Sequence, residues 1–353
     1  MSPSFYDCFL TLITLASWYL TFRKISAMDW ERPTDARDLA EHCSKYVIPK
    51  EEFSELETEA SGNAFVVFGA EYQGQRVVVK RWHGAVLPQQ SRVRFTKRLI
   101  RDLDRWQTLD HPNIAHPVGV ALHISNLPAL VVPSYRTVNQ VLAADHSTDV
   151  CHLMHGVAAG LSFLHAQSPP IVHGDLKGST VFVSPSGSAL LSDIGIAGIP
   201  QPPDWGFHGV DDSRWLAPEL MDTALRPDLP DADSTAGAAR TPDATLPITT
   251  ESDVYSFGML SYEMHTRKRP FATTIWAAAV IVRIVEGKRP PRPSQDQSPQ
   301  LSEALWDIIQ LCWAHDFRHR PRMQTVEAWL SLLIRLQAVG NPAAGIDCGS
   351  LLL

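Results

Sequence analysis

The stretch IVHGDLKGSTVFVSPSGSALLSDIG, residues Ile171 to Gly195, decides the fold. It carries two aspartates, Asp175 and Asp193, on either side of a β-rich run. That run is Val181-Phe182-Val183, then the turn residues Pro185-Ser186-Gly187, then Ala189-Leu190-Leu191. Strand, Gly-containing turn and strand read as a hairpin. A hairpin brings its two ends together, so Asp175 and Asp193 are expected on one side. Lys177 adds a cation two residues after the first carboxylate. Two carboxylates and a lysine around one cleft suit chemistry on a metal-bound phosphate. One Asp would orient a hydroxyl, one would hold Mg²⁺, and the lysine would neutralise phosphate charge. A single Asp here would read as a turn cap; the ordered pair points further.

Bulk properties narrow the class. The 353 residues fit one large domain or two lobes with tails, and 44% apolar residues is ordinary for a globular core. A net charge of −7 argues against a nucleic-acid partner, which calls for a basic face. Cys8, Cys43, Cys151, Cys312 and Cys348 are scattered without a C-x-x-C pair, which predicts a reducing, cytoplasmic setting without zinc or disulfides. Residues 1–27 form a hydrophobic N-terminal segment whose core, Cys8 to Phe22, is uncharged and followed by Arg23-Lys24. Three readings stand for it. It attaches the chain to a membrane, although it is short of the roughly 20 residues a span needs, it packs on the domain as a hydrophobic helix, or it is a poorly ordered tail.

Further along, residues 28–52 are a lead-in whose Thr34 to Ile48 portion shows helical spacing (Ala36, Leu39, Ala40, Cys43, Val47) stopped by Pro49. Phe65 to Phe68 and Gln75 to Arg81 read as strands around a Gln73-Gly74 turn. Arg92 to Thr108 and Val150 to Gln167 read as helices, and Leu130 to Tyr135 as a strand and its exit. Residues 222–250 are rich in Pro, Ala, Asp and Thr and read as a disordered surface insertion.

The opening stretch resembles the catalytic and metal-binding loops of protein kinases, H-R-D-L-x-x-x-N followed by D-F-G, here His173 to Thr180 and Asp193-Ile194-Gly195. Five further runs resemble the family in order. They are Val77-Val78-Val79-Lys80, His111-Pro112-Asn113-Ile114, Arg214 to Glu219 (RWLAPE), Asp253 to Gly258 (DVYSFG), and Cys312-Trp313 with Arg320-Pro321-x-Met323. The wording is most similar to the tyrosine-kinase-like group, and Lys177 two after Asp175 is similar to Ser/Thr kinases. The resemblance implies an α+β, two-lobed kinase fold: a β-rich small lobe over 53–135, a mainly helical large lobe over 136–338, and a loose tail at 339–353. It implies ATP and Mg²⁺ as cofactors and a protein as substrate or partner. Asp175 would orient the acceptor hydroxyl, Lys177 and Lys80 would bind phosphates, and Asp193 would hold Mg²⁺. Val132 would be the gatekeeper of the adenine pocket and the Tyr135 backbone its hinge partner. Glu219 would pair with Arg320, and Asp253 would hold the catalytic-loop backbone.

The departures bear on activity. Counting back from Lys80, the three glycines of the phosphate loop fall on Ser61, Asn63 and Val66, and a one-residue shift would recover only Gly62. The helix acid that pairs with the strand lysine falls on Asp102, one methylene short of a Glu. Gly174 replaces the Arg that receives an activation-loop phosphate, and Thr180 replaces the Asn that holds a second Mg²⁺. Phe182 below adenine, with Val78 and Phe68 above it, add volume to one slot, which interiors tolerate poorly. Two functions follow: phosphoryl transfer from MgATP to protein Ser/Thr, impaired by these changes, or a pseudokinase acting as a scaffold or allosteric module.

Overall fold

A computed structural model describes residues 44–61, 65–82, 89–198, 210–225 and 248–338. Its first part is a five-stranded antiparallel sheet in the order β1-β2-β3-β5-β4. The strands are β1 (Glu57–Ser61), β2 (Phe65–Tyr72), β3 (Gln75–Trp82), β4 (Gly119–Ala121) and β5 (Ala129–Pro133). β2 and β3 pair without a slip from Phe65↔Trp82 to Tyr72↔Gln75. Their turn is Gln73-Gly74, with φ of 50° and 74°, the left-handed pair that a two-residue hairpin requires. Alternation along β3 then sorts its side chains. Val77 and Val79 join an outer cluster with Ile48, Ala70 and Val131, whereas Val78 and Trp82 face the main core.

Helix α1 (Gln89–Gln107) packs on the inner face through Phe95, Leu99, Leu103 and Trp106, all 3% exposed or less. Trp82 meets Phe95 edge-on at 4.9 Å, an arrangement worth about 0.5–1.5 kcal/mol beyond its buried area.

The chain enters this lobe differently from the expected helix over 34–48. Residues 44–46 form a turn, and Val47 pairs in parallel with Val120. Ile48 N–H donates to Val120 O and Val120 N–H to Tyr46 O, both at 2.9 Å. Two β-branched residues just before Pro49 favour extended backbone, and the free edge of β4 accepts it. The rest of that expected helix, and the apolar run 8–22, lie outside the described residues. Among the described residues no helix is long and apolar enough to cross a membrane.

The second part is mainly helical. It holds a small sheet, β6 (Arg136–Thr137), β7 (Val181–Val183) and β8 (Ala189–Leu191), in that order. Its helices are α2 (Val138–Ala144), α3 (Val150–His165), α4 (Pro218–Met221), α5 (Thr250–Thr266), α6 (Ala277–Val285), α7 (Glu303–Cys312) and α8 (Met323–Ala338). α3 and α5 are buried on nearly every side, as their apolar composition requires. The β7–β8 hairpin is the one read from the sequence. Gly187 takes the positive φ of 86° in its turn, and Val181 pairs with Leu191. Of the stretch 222–250, residues 223–225 form a single 3-10 turn and Thr249 caps α5 by accepting from Ser252 N–H; 226–247 lie outside the described residues.

A buried ion pair closes the large lobe. Arg320 donates through both terminal nitrogens to Glu219, at 2.6 and 2.8 Å, and also to the carbonyls of Ala314 and Glu251. Both side chains are 1% exposed or less. Arg320→Ala is expected to cost about 3–5 kcal/mol, because it strands the Glu219 carboxylate. A urea titration measures this, and a loss under 1 kcal/mol would contradict it.

His265, in the last turn of α5, is buried and its pKa is pushed down to about 4, first by burial and then by Arg267. The helix C-terminus favours the cation by only about 0.3–1 kcal/mol, so burial wins. The unfolded chain therefore binds the proton first as pH falls below 6.5. Stability from this group is full above that pH and drains away toward pH 4, by up to about 3 kcal/mol. Urea unfolding at pH 7 and pH 4.5 should show a smaller acid loss in His265→Gln than in the wild type; equal losses would exclude the effect.

Candidate active site

One carboxylate positions the loop that precedes β7. Asp253, 1% exposed near the start of α5, accepts from His173 N–H (2.7 Å), Gly174 N–H (2.9 Å) and His165 Nε2 (2.9 Å). Gly195 N–H then donates to His173 O at 3.0 Å, so the loop after β8 hangs on the same anchor. His173 is fully buried, and burial lowers its pKa. Its Nδ1 accepts from Asp175 N–H at 3.3 Å, which places the ring proton on Nε2. Gly174 takes a φ of 81°, and a Cβ there would stand 2.7 Å from Ile248 Cδ1.

From this base Asp175 projects beside Lys177, whose Nζ lies 2.9 Å from Asp175 Oδ1 and 3.2 Å from Asp212 Oδ1. Burial works against the lysine's charge, but Asp175 and then Asp212 outweigh it and raise its pKa. Thr180 turns inward. Its hydroxyl accepts from Lys177 N–H (3.1 Å) and lies within donating distance of Asp175 O (2.7 Å) and Lys177 O (3.0 Å). The expected metal ligand at Thr180 is thus engaged as a brace within its own loop.

Asp193 adopts a φ of 61°, uncommon for a non-glycine residue and a form of strain that concentrates at functional sites. Its Oδ2 accepts directly from Lys80 Nζ, with both side chains under 10% exposed. Asp102, expected as the partner of Lys80, is held on its own helix by Arg98 Nε at 2.9 Å, one turn away. Burial raises the Asp102 carboxyl while Arg98 opposes it. The shorter side chain stays with the near cation, and Lys80 takes Asp193.

The surface expected to face adenine departs from expectation in its register. Val78 stands opposite Gly69 and Val132, and Lys80 opposite Val67 and Leu130. Phe68 stands opposite Val79, on the outer face, and its ring lies 5.4 Å from the Arg81 guanidinium carbon. Phe68 therefore does not enter the slot with Val78 and Phe182; Val67 has that face. Counting from Val67 moves the three glycine positions to Ala60, Gly62 and Phe65, the shift that recovers Gly62. Phe65, at the third, faces Trp82 at 4.5 Å and Lys80 Nζ at 5.9 Å. Phe182, 4% exposed, lies 5.4 Å from the same nitrogen. Val132 is buried at 1%, and Tyr135 N–H donates to Pro133 O at 3.2 Å within the strand exit.

Three residues escaped the sequence reading. Phe65 was hidden by the register, and Asp212 by lying in an unremarkable Asp-Asp pair. Glu263 accepts from Asn139 Nδ2 (2.8 Å), Gly178 N–H (3.1 Å) and Trp215 Nε1 (2.9 Å), joining four segments; burial raises its pKa against these bonds. A single Glu in the apolar half of α5 was the available signal.

Residues 60–330 match the family of protein tyrosine and serine/threonine kinases, and the chain belongs to that family. It is 25% identical over 299 residues to the probable serine/threonine-protein kinase pats1 of Dictyostelium discoideum, across 79% of this chain and 8% of that protein. It is 25% identical over 298 residues to the serine/threonine-protein kinase CTR1 of Arabidopsis thaliana, across 82% and 32%. It is 25% identical over 307 residues to kinase suppressor of Ras 2 of Mus musculus, across 82% and 29%. The chain thus spans a third or less of the length of these relatives, and its likeness to CTR1 and to kinase suppressor of Ras 2 is consistent with the resemblance to the tyrosine-kinase-like group.

Asp253→Ala would leave the buried N–H of His173 and the half-buried N–H of Gly174 unpaired, at about 1–3 kcal/mol for the buried one and less for the other. Amide exchange at these two positions should accelerate well beyond any change at Leu191, which bonds elsewhere; uniform acceleration would place the anchor in another residue.

Proposed function

We propose that this chain is the kinase domain of a signalling protein that binds MgATP in the cleft between its lobes and transfers phosphate to protein Ser/Thr at a reduced rate. One observation carries the reading. Lys80 pairs with Asp193 and Lys177 with Asp175, two ion pairs carried by the β3 strand, the loop before β7 and the loop after β8. Asp193 would hold Mg²⁺ together with the nucleotide phosphates, a mode that needs few protein carboxylates. Lys80 would leave Asp193 for the inner phosphates, Asp175 would orient the acceptor hydroxyl, and Lys177 would meet the transferred phosphate. Val78, Val132 and Phe182 would enclose adenine, with the Tyr135 backbone at the hinge.

The reduced rate has stated causes. Asp102 is engaged by Arg98, so Lys80 has no helix acid to position it. The Thr180 hydroxyl faces its own loop. The net charge of −7 and the protein-kinase match favour a protein as substrate or partner over nucleic acid. Membrane attachment through residues 8–22 stays a proposal of the sequence alone.

A specific observation favours the second reading, a pseudokinase that acts as a scaffold or allosteric module. The Lys80 ammonium is enclosed by Asp193 and by the rings of Phe65 and Phe182. Thermal unfolding of the full chain with millimolar ATP, with and without Mg²⁺, separates the two. Catalysis requires a Mg²⁺-dependent rise of a few degrees by mass action, lost in Asp193→Asn. No shift with either form favours the module. Under the first reading Phe65→Gly should tighten ATP severalfold, and phosphate incorporation into Ser/Thr substrates should vanish in Asp193→Asn.

A further inference from the structure

The structure places a second carboxylate on Lys177 that the phosphotransfer reading does not use. Asp212 Oδ1 lies 3.2 Å from Lys177 Nζ, and the Asp175, Lys177 and Asp212 side chains are all 10–14% exposed. Asp212 sits in the 3-10 segment Val210–Trp215, just before α4, and that segment is firmly held. Arg214, fully buried, donates to the carbonyls of Pro270, Phe271 and Thr274, and also to Asp211. Asp211 pairs in addition with Arg269 at 3.2 Å. Ser213, on the other side of Asp212, is buried. The Asp212 carboxylate is therefore presented to Lys177 by a fixed backbone, not by a mobile surface turn.

The charge balance follows. Lys177 thus faces two carboxylates at the place where the outermost phosphate of a nucleotide would arrive. A lysine shared between two carboxylates offers little field to a third anion.

We infer that Asp212 is a positioning residue that holds Lys177 away from the terminal phosphate, so that the cleft takes nucleoside di- and triphosphates with nearly equal affinity. The inference rests on the phosphotransfer reading, because it needs a nucleotide in the cleft. It adds to that reading a specific reason for slow turnover, located in the segment before α4 and separate from Asp102, Phe65 and Thr180.

Calorimetric titration of the full chain with ATP and with ADP, each with Mg²⁺, tests it. Wild type should bind the two within about threefold of each other. Asp212→Asn should tighten ATP by about one to two orders of magnitude and ADP by markedly less, the order expected for one unit charge removed at about 6–12 Å through an effective dielectric of about 20. Asp212→Glu should keep the wild-type ratio. Asp211→Asn, which loosens the same segment without touching Lys177, should keep it too. In the double variant Asp212→Asn with Lys177→Met the ATP gain should disappear. Equal tightening of both nucleotides, the same gain in Asp211→Asn, or a gain that survives Lys177→Met would overturn the inference. So would an unchanged ratio in Asp212→Asn with ADP still bound, a result that leaves the phosphotransfer reading intact. Binding of neither nucleotide to wild type or variants would overturn both together.

Discussion

The Asp253 carboxylate is the constraint on which the rest depends. A buried charge is tolerated when donors surround it, and here three converge: two backbone N–H groups of the loop before β7 and the His165 ring. α5 offers a rigid place to put it, because the helix is buried on most of its surface. From that point the loop geometry propagates outward. His173 accepts from Asp175 N–H and from Gly195 N–H, which sets the starting directions of the two segments that carry Asp175 and Asp193. Glu263, further along the same helix, repeats the device for the end of the loop at Gly178. The loop that carries Asp175 is thus held at both ends by two buried acids of one helix.

The cleft itself is electrostatically self-satisfied. Lys80 has Asp193, Lys177 has Asp175 and Asp212, and Asp102 has Arg98. Pairing of this kind stabilises each charge against desolvation, and it also sets a threshold that any ligand must exceed. A nucleotide would have to offer Lys80 and Asp193 more than they offer each other, which a phosphate chain with its metal ion can do and a bare base cannot. Two aromatic rings near Lys80 raise that threshold further by lowering the local dielectric.

Much of this was legible in the sequence. The β7–β8 hairpin follows from strand runs around Pro-Ser-Gly, and the Asp175–Asp193 juxtaposition follows from the hairpin. The Glu219–Arg320 pair and the Asp253 anchor were reached through resemblance, since more than 70 residues separate the partners in each case. Other features were not legible, for identifiable reasons. Phe68 was assigned to the wrong face because counting back from Lys80 assumed a fixed spacing. Strand alternation, fixed by the Phe68↔Val79 pairing, decides the matter, and a shift of one residue exchanges the faces. Lys80 chose Asp193 over Asp102 by reach, and reach is set by how close α1 sits. Residues 44–48 left the helical pattern because an open strand edge competed for them.

Gly174 and Ile248 are coupled through space. The loop's positive φ and the methyl standing where a side chain would begin are two separate obstacles at one position. An arginine introduced there would meet backbone strain and a collision at once, although the collision involves only the end of an isoleucine side chain. A side chain at position 174 is therefore opposed first by the backbone and only second by Ile248, whose terminal methyl can turn aside.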